Sequence, residues 1–237
     1  MFRQAIAVGL ILVGGATIAA QGQNALTAQE QAQGWKLLFD GKTLAGWRGF
    51  KSQDVPAGWQ VVDGVLTRVE DTSKKAGDII TKEQYKDFEL ALEWRIPKGG
   101  NSGIFFHVAE EGGDQAYFTG PEFQILDNAN HKDGAVPEKS AGSNYAMHAP
   151  VHDMTKPVGE WNAVRLVVRG PHVEQWVNGM KVVEYELWSA DWEAKYKASK
   201  FKDMPKYGRE KTGYIALQDH GNKVEFRNIK VRVLKDS

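Results

Sequence analysis

The stretch Phe88-Glu89-Leu90-Ala91-Leu92-Glu93-Trp94-Arg95-Ile96 decides the fold class of this chain. Large apolar side chains occupy every second position, and Glu93 and Arg95 stand between the last of them. Because successive side chains of a β-strand point to opposite faces, this alternation predicts a strand with one face in a core and the other in solvent.

Hairpin turns and further strands surround this stretch. Asp63-Gly64 and Asn178-Gly179 each lie between two short, largely apolar runs, and both dipeptides are strong signals for type I′ hairpins. The predicted hairpin strands are 59–62 with 65–69 and 173–177 with 180–185, and further strands are predicted at 103–108, 122–126, 163–169, 214–219 and 223–233.

Many short alternating strands with few helical signals predict an all-β fold. The architecture that we expect is a two-sheet antiparallel jelly-roll sandwich. One helical insertion is predicted near Ser189–Lys200, where Ser189 can cap the first turn and Trp192 and Tyr196 stand four residues apart. This insertion either forms a wall of a functional site or packs as a surface excursion.

Residues 1–25 have the pattern of a secretory signal peptide. Arg3 precedes an apolar run from Ala5 to Ala19, and small residues follow. A retained anchor is the alternative, but a run of about 15 residues is shorter than the roughly 20 that a spanning helix needs. We therefore expect a single mature domain at 26–237, located in the periplasm or secreted, with no membrane association after the signal is removed.

The composition excludes several classes of function. The chain has no cysteine, so a disulfide framework, a thiol nucleophile, a thiolate metal site and a lipid-attached cysteine are all absent. It has 30 basic and 30 acidic residues, which argues against a nucleic-acid or anionic membrane partner. Eight tryptophans and 11% aromatic residues suit a small neutral carbohydrate as the partner.

Polar side chains share one face of several predicted strands. Glu122 and Gln124 alternate with apolar residues in Glu122–Asp127, and Gln218 and His220 do the same in Gly213–Gly221. Such residues hydrogen-bond hydroxyl groups or move protons, although each also fits an ordinary solvated strand position. The residues predicted to meet on a concave surface are Glu93, Arg95, His107, Glu122, Gln124, Gln218 and His220.

Five motifs in order resemble the 3-keto-disaccharide hydrolase family. They are Leu38–Trp47, Asn101–Phe106, Gly120–Asp127, Lys156–Asn162 and Leu217–Ile229, and they span nearly all of the predicted mature chain. The resemblance implies a concanavalin A-like, laminin-G-like jelly roll. It also implies cleavage of the glycosidic bond in sugars already oxidised at C3.

The chemistry implied by this resemblance begins at C2 of the keto-sugar. A ketone at C3 acidifies the C2 hydrogen, so a base can form an enolate and the C1 oxygen can leave, with or without later addition of water. Glu122 and His220 are expected as the proton-transfer pair, and Gln124 and Gln218 as hydroxyl binders. Arg95 or a bound divalent metal is expected to stabilise the enolate.

Further candidates complete the expected site. Glu93 and Asp127 could ligate a hard metal, and His107 or His220 a softer one, but no tight ligand spacing identifies the metal or its ligands. Tyr145, in the long loop 128–150, and Lys156 are candidate substrate-binding residues. A loop of that length beside a sheet either closes over a substrate or is a surface excursion.

Two other functions fit the same fold. A glycosidase with two carboxylates would act on unmodified glycans, yet Gln124 stands where such enzymes tend to carry a second acid near Glu122. A non-catalytic lectin or laminin-G-like module would bind sugar without turnover. Turnover that depends on Glu122, with binding that does not, would separate an enzyme from a lectin.

Overall fold

The computed structural model describes residues 22–70 and 77–235, and most of the regular structure in them is β. The strands are β1 (Lys36–Leu37), β2 (Trp47–Gly49), β3 (Trp59–Val62), β4 (Val65–Arg68), β5 (Ile79–Thr81), β6 (Phe88–Arg95), β7 (Asn101–Val108), β8 (Glu122–Leu126), β9 (Asn162–Arg169), β10 (His172–Val177), β11 (Met180–Glu186), β12 (Tyr214–Leu217) and β13 (Val224–Val233). Two α-helices, α1 (Ala28–Ala32) and α2 (Ala190–Ala198), and three 3-10 turns, Ala116–Phe118, Lys132–Ala135 and Pro137–Lys139, complete the elements.

The strands form two antiparallel sheets. Sheet A has the order β11-β10-β9-β6-β13-β4-β3, with β1 also paired to β13, and sheet B has the order β2-β5-β12-β7-β8. The two sheets pack face to face around one large apolar core. This architecture confirms the predicted all-β jelly-roll sandwich.

The two predicted hairpin turns have the backbone that their residues favour. Asp63 and Gly64 have φ of 50° and 76°, and Asn178 and Gly179 have φ of 48° and 86°. Positive φ at both central residues is the type I′ conformation, whose twist matches that of the flanking strands. These turns join β3 to β4 and β10 to β11, as predicted.

Alternation along β6 orients that strand as the sequence predicts. Its inward residues Phe88, Leu90, Leu92 and Trp94 are buried in the core between the sheets. Glu93 and Arg95, which alternate with the last of these residues, lie on the outer face of sheet A. The same alternation in β12 buries Ile215 and Leu217 in the core and leaves Ala216 and Gln218 on the outer face of sheet B, the face that carries the functional candidates.

The predicted helical insertion is confirmed. Helix α2 begins after Ser189, whose hydroxyl accepts a hydrogen bond from the Trp192 backbone N–H, and Trp192 and Tyr196 are buried. The sequence analysis did not identify β1, β2 and β5, because strands of two or three residues are too short to show alternation.

Most of the predicted signal peptide, residues 1–21, lies outside the described residues. In the part of the chain that is described, no helix is long and apolar enough to cross a membrane.

Candidate functional site

Two adjoining cavities lie on the outer face of sheet B. The larger, here called the outer cleft, has a volume of about 470 Å³, and the smaller, the inner chamber, has a volume of about 50 Å³. Glu122, Lys200, Gln218 and His220 line both cavities. The outer cleft is also lined by Phe50, Asp78, Gln115 and Tyr117, and the inner chamber by Asn101, Gln124 and Tyr145.

Glu122 is the central acid of this site. It begins β8 and lies over Gly103 of the neighbouring strand β7, where an added Cβ atom would overlap the Glu122 Oε1 atom. Glycine at position 103 therefore makes room for the carboxyl group. The residue is 4% exposed, and burial raises the pKa of Glu122 to about 8, against the opposing effect of the Lys200 ammonium.

Lys200 supplies the positive charge of the site. It follows the end of α2, and its ammonium lies over the ring of Tyr145, 4.4 Å from the ring centroid. Burial lowers the pKa of this ammonium, while the nearby Glu122 carboxylate acts in the opposite direction. The helical insertion thus contributes to a wall of the site, which was one of its two predicted interpretations.

A buried ion pair holds the segment that carries Gln218 and His220. Asp219 accepts a hydrogen bond from Arg68 Nε at 2.7 Å, and both side chains have no exposed surface. Asp219 also accepts from the Gly77 backbone N–H at 2.7 Å and donates its own backbone N–H to Asp78 at 2.9 Å. The residues on either side of Asp219 are therefore held at the cleft.

Asp78 is the second acid of the outer cleft. Burial raises the pKa of Asp78 to about 6, although two backbone N–H groups, those of Asp219 and Ala116, hydrogen-bond its carboxylate. Glu122 and Asp78 are thus two carboxyl groups of the cleft whose pKa values lie above the usual range.

The loop 128–150 runs beside β8 and carries Tyr145 into the site. The Gln124 backbone N–H donates to the Ser143 carbonyl at 3.0 Å, and the Tyr145 backbone N–H donates to the Glu122 carbonyl at 3.0 Å. The Tyr145 hydroxyl donates to Asp133 at 2.9 Å. This loop is therefore attached to the edge of sheet B and forms part of the site.

Of the ten residues predicted for the site, the structure brings five together. They are Glu122, Gln124, Tyr145, Gln218 and His220, and all five line the inner chamber. The geometry of these residues agrees with the predicted convergence. Their catalytic and binding roles remain predictions.

The predicted convergence is wrong for Arg95 and Glu93, which belong to β6 in sheet A. Arg95 forms a bidentate ion pair with Glu225, with N–O distances of 2.7 and 2.9 Å. Glu93 accepts a hydrogen bond from Arg227 Nε at 2.7 Å. The Arg95 and Arg227 guanidinium groups both stack on the ring of Trp161. The sequence analysis identified the polar face of β6 correctly, but β6 belongs to sheet A, whereas the two cavities lie on sheet B.

His107 is also placed elsewhere, because it points into the core. It is 2% exposed, its Nε2 atom lies 2.7 Å from the Lys86 carbonyl, and its ring packs edge-on against Phe88 and Phe106. Burial lowers the pKa of His107, which favours the neutral imidazole. Its environment is that of a core histidine.

Asp127 and Lys156 line a different cavity, of about 380 Å³, and not the cleft. Burial acts to raise the pKa of Asp127, but hydrogen bonds from Gly99, Ala129 and Asn130 outweigh it and hold the pKa below its usual value. The Lys156 ammonium donates to a backbone carbonyl at 3.1 Å. Both residues therefore organise loops.

The structure adds residues that the sequence analysis did not assign to the site. Lys200 and Asn101 line the inner chamber, Asp78 lines the outer cleft, and Gly103 accommodates Glu122. Two of them, Asn101 and Gly103, lie in the family motif Asn101–Phe106, which the sequence analysis did not assign to the site. No pattern marked Lys200 or Asp78, because their approach to Glu122 depends on distant segments.

A group of side chains with the atoms of possible metal ligands lies away from this site. Among the described residues, the group of histidine and acidic side chains with closely spaced ligand atoms is His172, Glu174 and Glu184, on β10 and β11 of sheet A. Lys181 makes ion pairs with both glutamates there. The predicted oxygen ligands Glu93 and Asp127 already have hydrogen-bond donors as partners.

Residues 34–232 match the family profile of the 3-keto-alpha-glucoside-1,2-lyase-like domain. The chain belongs to this family. The chain is also 36% identical to a 3-keto-disaccharide hydrolase of Bacteroides thetaiotaomicron, over 92% of this chain and 84% of that one. The protein is therefore an enzyme, a hydrolase or lyase that acts on sugars.

Solved structures agree with this membership. The fold is similar to that of a candidate glycosyl hydrolase from Parabacteroides distasonis, with a TM-score of 0.84 and 37% identity over 90% of this chain and 100% of that one. A second candidate glycosyl hydrolase from the same organism gives a TM-score of 0.64 and 29% identity, over 84% and 99% of the two chains.

Proposed function

We propose that this protein cleaves the glycosidic bond of 3-keto-glycosides, including 3-keto-disaccharides, by removal of the C2 proton and elimination at C1. The Bacteroides relative named as a 3-keto-disaccharide hydrolase supports the substrate class. The observation that carries the mechanism is Glu122, a buried acid of raised pKa that faces a sugar-sized cleft beside the Lys200 ammonium.

Glu122 acts as the general base. A carboxylate is a weak base in water, but a buried one with a pKa near the working pH removes a proton more effectively. The C2–H bond breaks, Glu122 takes the proton, and the electron pair of that bond forms the enolate of the C3 ketone. Gln218 hydrogen-bonds the Glu122 carboxyl and helps to orient it.

Lys200 stabilises the enolate, in place of the predicted Arg95. A cation in a partly desolvated site stabilises developing negative charge more strongly than it would in water. The enolate then expels the C1 oxygen, forming the C1=C2 double bond, and His220 gives its proton to the leaving alcohol. Water that adds across this double bond returns the proton to C2 and completes hydrolysis.

The aromatic wall of the outer cleft receives the leaving group. Phe50 and Tyr117 line this cavity, and the Tyr117 ring stacks on Phe118 with their centroids 4.8 Å apart. Aromatic faces bind the apolar faces of sugar rings. A volume of about 470 Å³ accommodates a disaccharide-sized ligand.

The test is to incubate the purified protein with 3-keto-glycosides and with the parent glycosides, and to identify the products by mass spectrometry. We expect cleavage of the keto-sugars alone. Glu122→Gln should remove turnover and retain binding, whereas the matched control Glu225→Gln, in sheet A, should keep turnover. Equal cleavage of oxidised and unoxidised sugars would refute the keto mechanism, and binding without any turnover would support a lectin instead.

We also propose that residues 1–25 direct export, so that the enzyme works in the periplasm or outside the cell. The charged start, the short apolar run and the small residues that follow support this proposal. Sequencing the amino terminus of the protein recovered from its native host checks it. A mature protein that retains Met1 and remains in the cytoplasm would contradict export.

A further inference from the structure

The amides of Asn101 and Gln124 are neighbours on the outer face of sheet B. In the pairing of β7 with β8, Gln124 lies opposite Gly103, and Asn101 stands two residues before that glycine. The two residues are thus diagonal neighbours on one face, and long side chains reach each other across such a diagonal. Both line the inner chamber together with Glu122, whose carboxyl group lies over Gly103. The proposed base and the two amides therefore share one small area of the sheet.

The amide nitrogens of Asn101 and Gln124 are the groups that face the chamber. The two residues are 5% and 1% exposed, and their amide oxygens, Oδ1 and Oε1, are buried away from it. Since both residues line the chamber, the accessible part of each amide is its NH2 group. Neither NH2 group donates a hydrogen bond to another described residue. Two nearly buried donors are thus left for a ligand.

These donors select an acceptor. An amide N–H can only donate, and the Lys200 ammonium, which lines the same chamber, has no acceptor either. The complementary group is therefore an oxygen that accepts hydrogen bonds and has none to donate. In a 3-keto-glycoside, the exocyclic oxygens of this kind are the C3 carbonyl oxygen and the glycosidic oxygen.

The size of the chamber decides between these two oxygens. A water-sized group occupies roughly 10–15 Å³, so a chamber of about 50 Å³ holds roughly three to five such groups. The glycosidic oxygen carries the aglycone on its other side, and a second sugar ring is too large for this space. The C3 carbonyl oxygen ends in itself, so it can enter the chamber while the ring stays outside.

The position beside Glu122 also fits the C3 oxygen. When the C2–H bond breaks, its electron pair forms the C2=C3 double bond, and the C3 carbonyl oxygen takes the negative charge. This oxygen is attached to the carbon next to C2, so its binding site must adjoin the base. Donors that are already held in place at such a site stabilise the developing charge without reorganisation.

We propose that Asn101 and Gln124 form an oxyanion hole for the C3 oxygen of the keto-sugar, with one N–H group of each residue donating to the enolate. This inference rests on the proposed function and adds two catalytic residues to it. Lys200 supplies the compensating charge, and the two amides supply directed hydrogen bonds. Gln124 thereby takes a different role from the predicted one, which was to bind a hydroxyl group.

The first test separates enolate formation from bond cleavage. 3-Keto-1,5-anhydroglucitol has no glycosidic oxygen, so removal of its C2 proton stops at the enolate, which returns to the ketone by taking a deuteron in D2O. Proton NMR follows this exchange, and wild type should catalyse it. Asn101→Leu and Gln124→Met should each slow it about 100- to 1000-fold, which is the cost of losing one oxyanion-hole donor. Gln60→Met, at an exposed position of β3, is the matched control and should exchange at the wild-type rate.

The second test is a spectroscopic signature that does not depend on turnover. Glu122→Gln should bind a 3-keto-glucoside labelled with 13C at C3 without cleaving it. Hydrogen bonds to a carbonyl oxygen polarise the C=O bond, so the labelled infrared band should lie at low frequency in this complex. Adding Gln124→Met should move the band to higher frequency, whereas adding Gln60→Met should leave it in place. Circular dichroism checks that each variant is folded.

The outcomes separate this inference from the proposed function. Wild-type exchange rates in folded Asn101→Leu and Gln124→Met would overturn the oxyanion hole and leave the proposed function standing. A raised KM with unchanged kcat and an unmoved carbonyl band would also overturn it, because the amides would then bind a hydroxyl group. Wild-type protein that neither exchanges the C2 proton nor cleaves any 3-keto-glycoside would refute the proposed function itself.

Discussion

Replacement of Glu122 by glutamine is expected to stabilise the protein while it removes activity. The carboxyl group is buried, and its charged form is disfavoured there because water no longer solvates it. Glutamine has nearly the same shape, keeps an oxygen for the hydrogen bond from Gln218, and carries no charge at any pH. The buried base at the site thus makes the wild-type protein less stable than the variant.

The size of the effect follows from the pKa, which rises from 4.5 to about 8 on folding. A folded-state pKa above the unfolded value gives stability that is fully present below about pH 4.5 and is lost as the pH rises through about 8. One pKa unit corresponds to about 1.4 kcal/mol. Ionisation of Glu122 therefore lowers the free energy of unfolding of the wild-type protein by about 3 kcal/mol at pH 7 and by about 5 kcal/mol above pH 9. At pH 7 this corresponds to roughly 6–12 °C in Tm.

Urea denaturation followed by tryptophan fluorescence at pH 4, 7 and 9 measures this effect. Glu122→Gln and wild type should differ little at pH 4, and the variant should be increasingly more stable at pH 7 and 9. Glu225→Gln is the matched control with the opposite sign, because the pKa of Glu225 is lowered, with Arg95 overcoming the effect of burial. A Glu122→Gln protein no more stable than wild type at pH 9 would refute the reasoning.

Other changes have equally definite outcomes. Gly103→Ala should lower kcat roughly 100-fold without loss of fold by circular dichroism, because its Cβ would displace the Glu122 carboxyl, and wild-type kcat would contradict this. In wild type, kcat/KM should rise with pH toward about 8 as Glu122 loses its proton. Lys200→Met should move that limb of the pH–rate profile to higher pH, since the ammonium that favours the carboxylate is gone, and an unmoved limb would exclude this coupling. Arg68→Met should cost about 3–5 kcal/mol in urea denaturation, because the buried Asp219 carboxylate would keep backbone donors but lose its counter-charge, and a smaller cost would show that the ion pair is not needed.

The strands and hairpins were predictable because their signals are local. Phe88–Ile96 shows the period-two alternation of a strand with one buried face, and Asn178-Gly179 has the residues that a type I′ turn requires. The helical insertion was likewise visible from Ser189 and the spacing of its aromatic residues. Each of these features depends on residues that are close together in the chain. The tertiary contacts of the folded protein agree with these local preferences.

The polar residues of the candidate site were predictable only in part. Glu122, Gln124, Gln218 and His220 lie on strands or strand ends whose outer faces meet in sheet B, and alternation identified those faces. Arg95 has the same local pattern, but β6 belongs to sheet A. Alternation states which side chains share one face of a strand and does not state which sheet contains the strand.

The amino-acid sequence by itself determined the all-β architecture, the polar strand faces and the family resemblance, because these reside in residue order and spacing. Only the tertiary structure decided that Lys200 rather than Arg95 accompanies Glu122, and that Gly103 makes room for the carboxyl. The physical reason is that a desolvated acid and its counter-charge are set by through-space distances between segments remote in the chain. Burial, and with it the raised pKa of Glu122, arises only when those segments pack together.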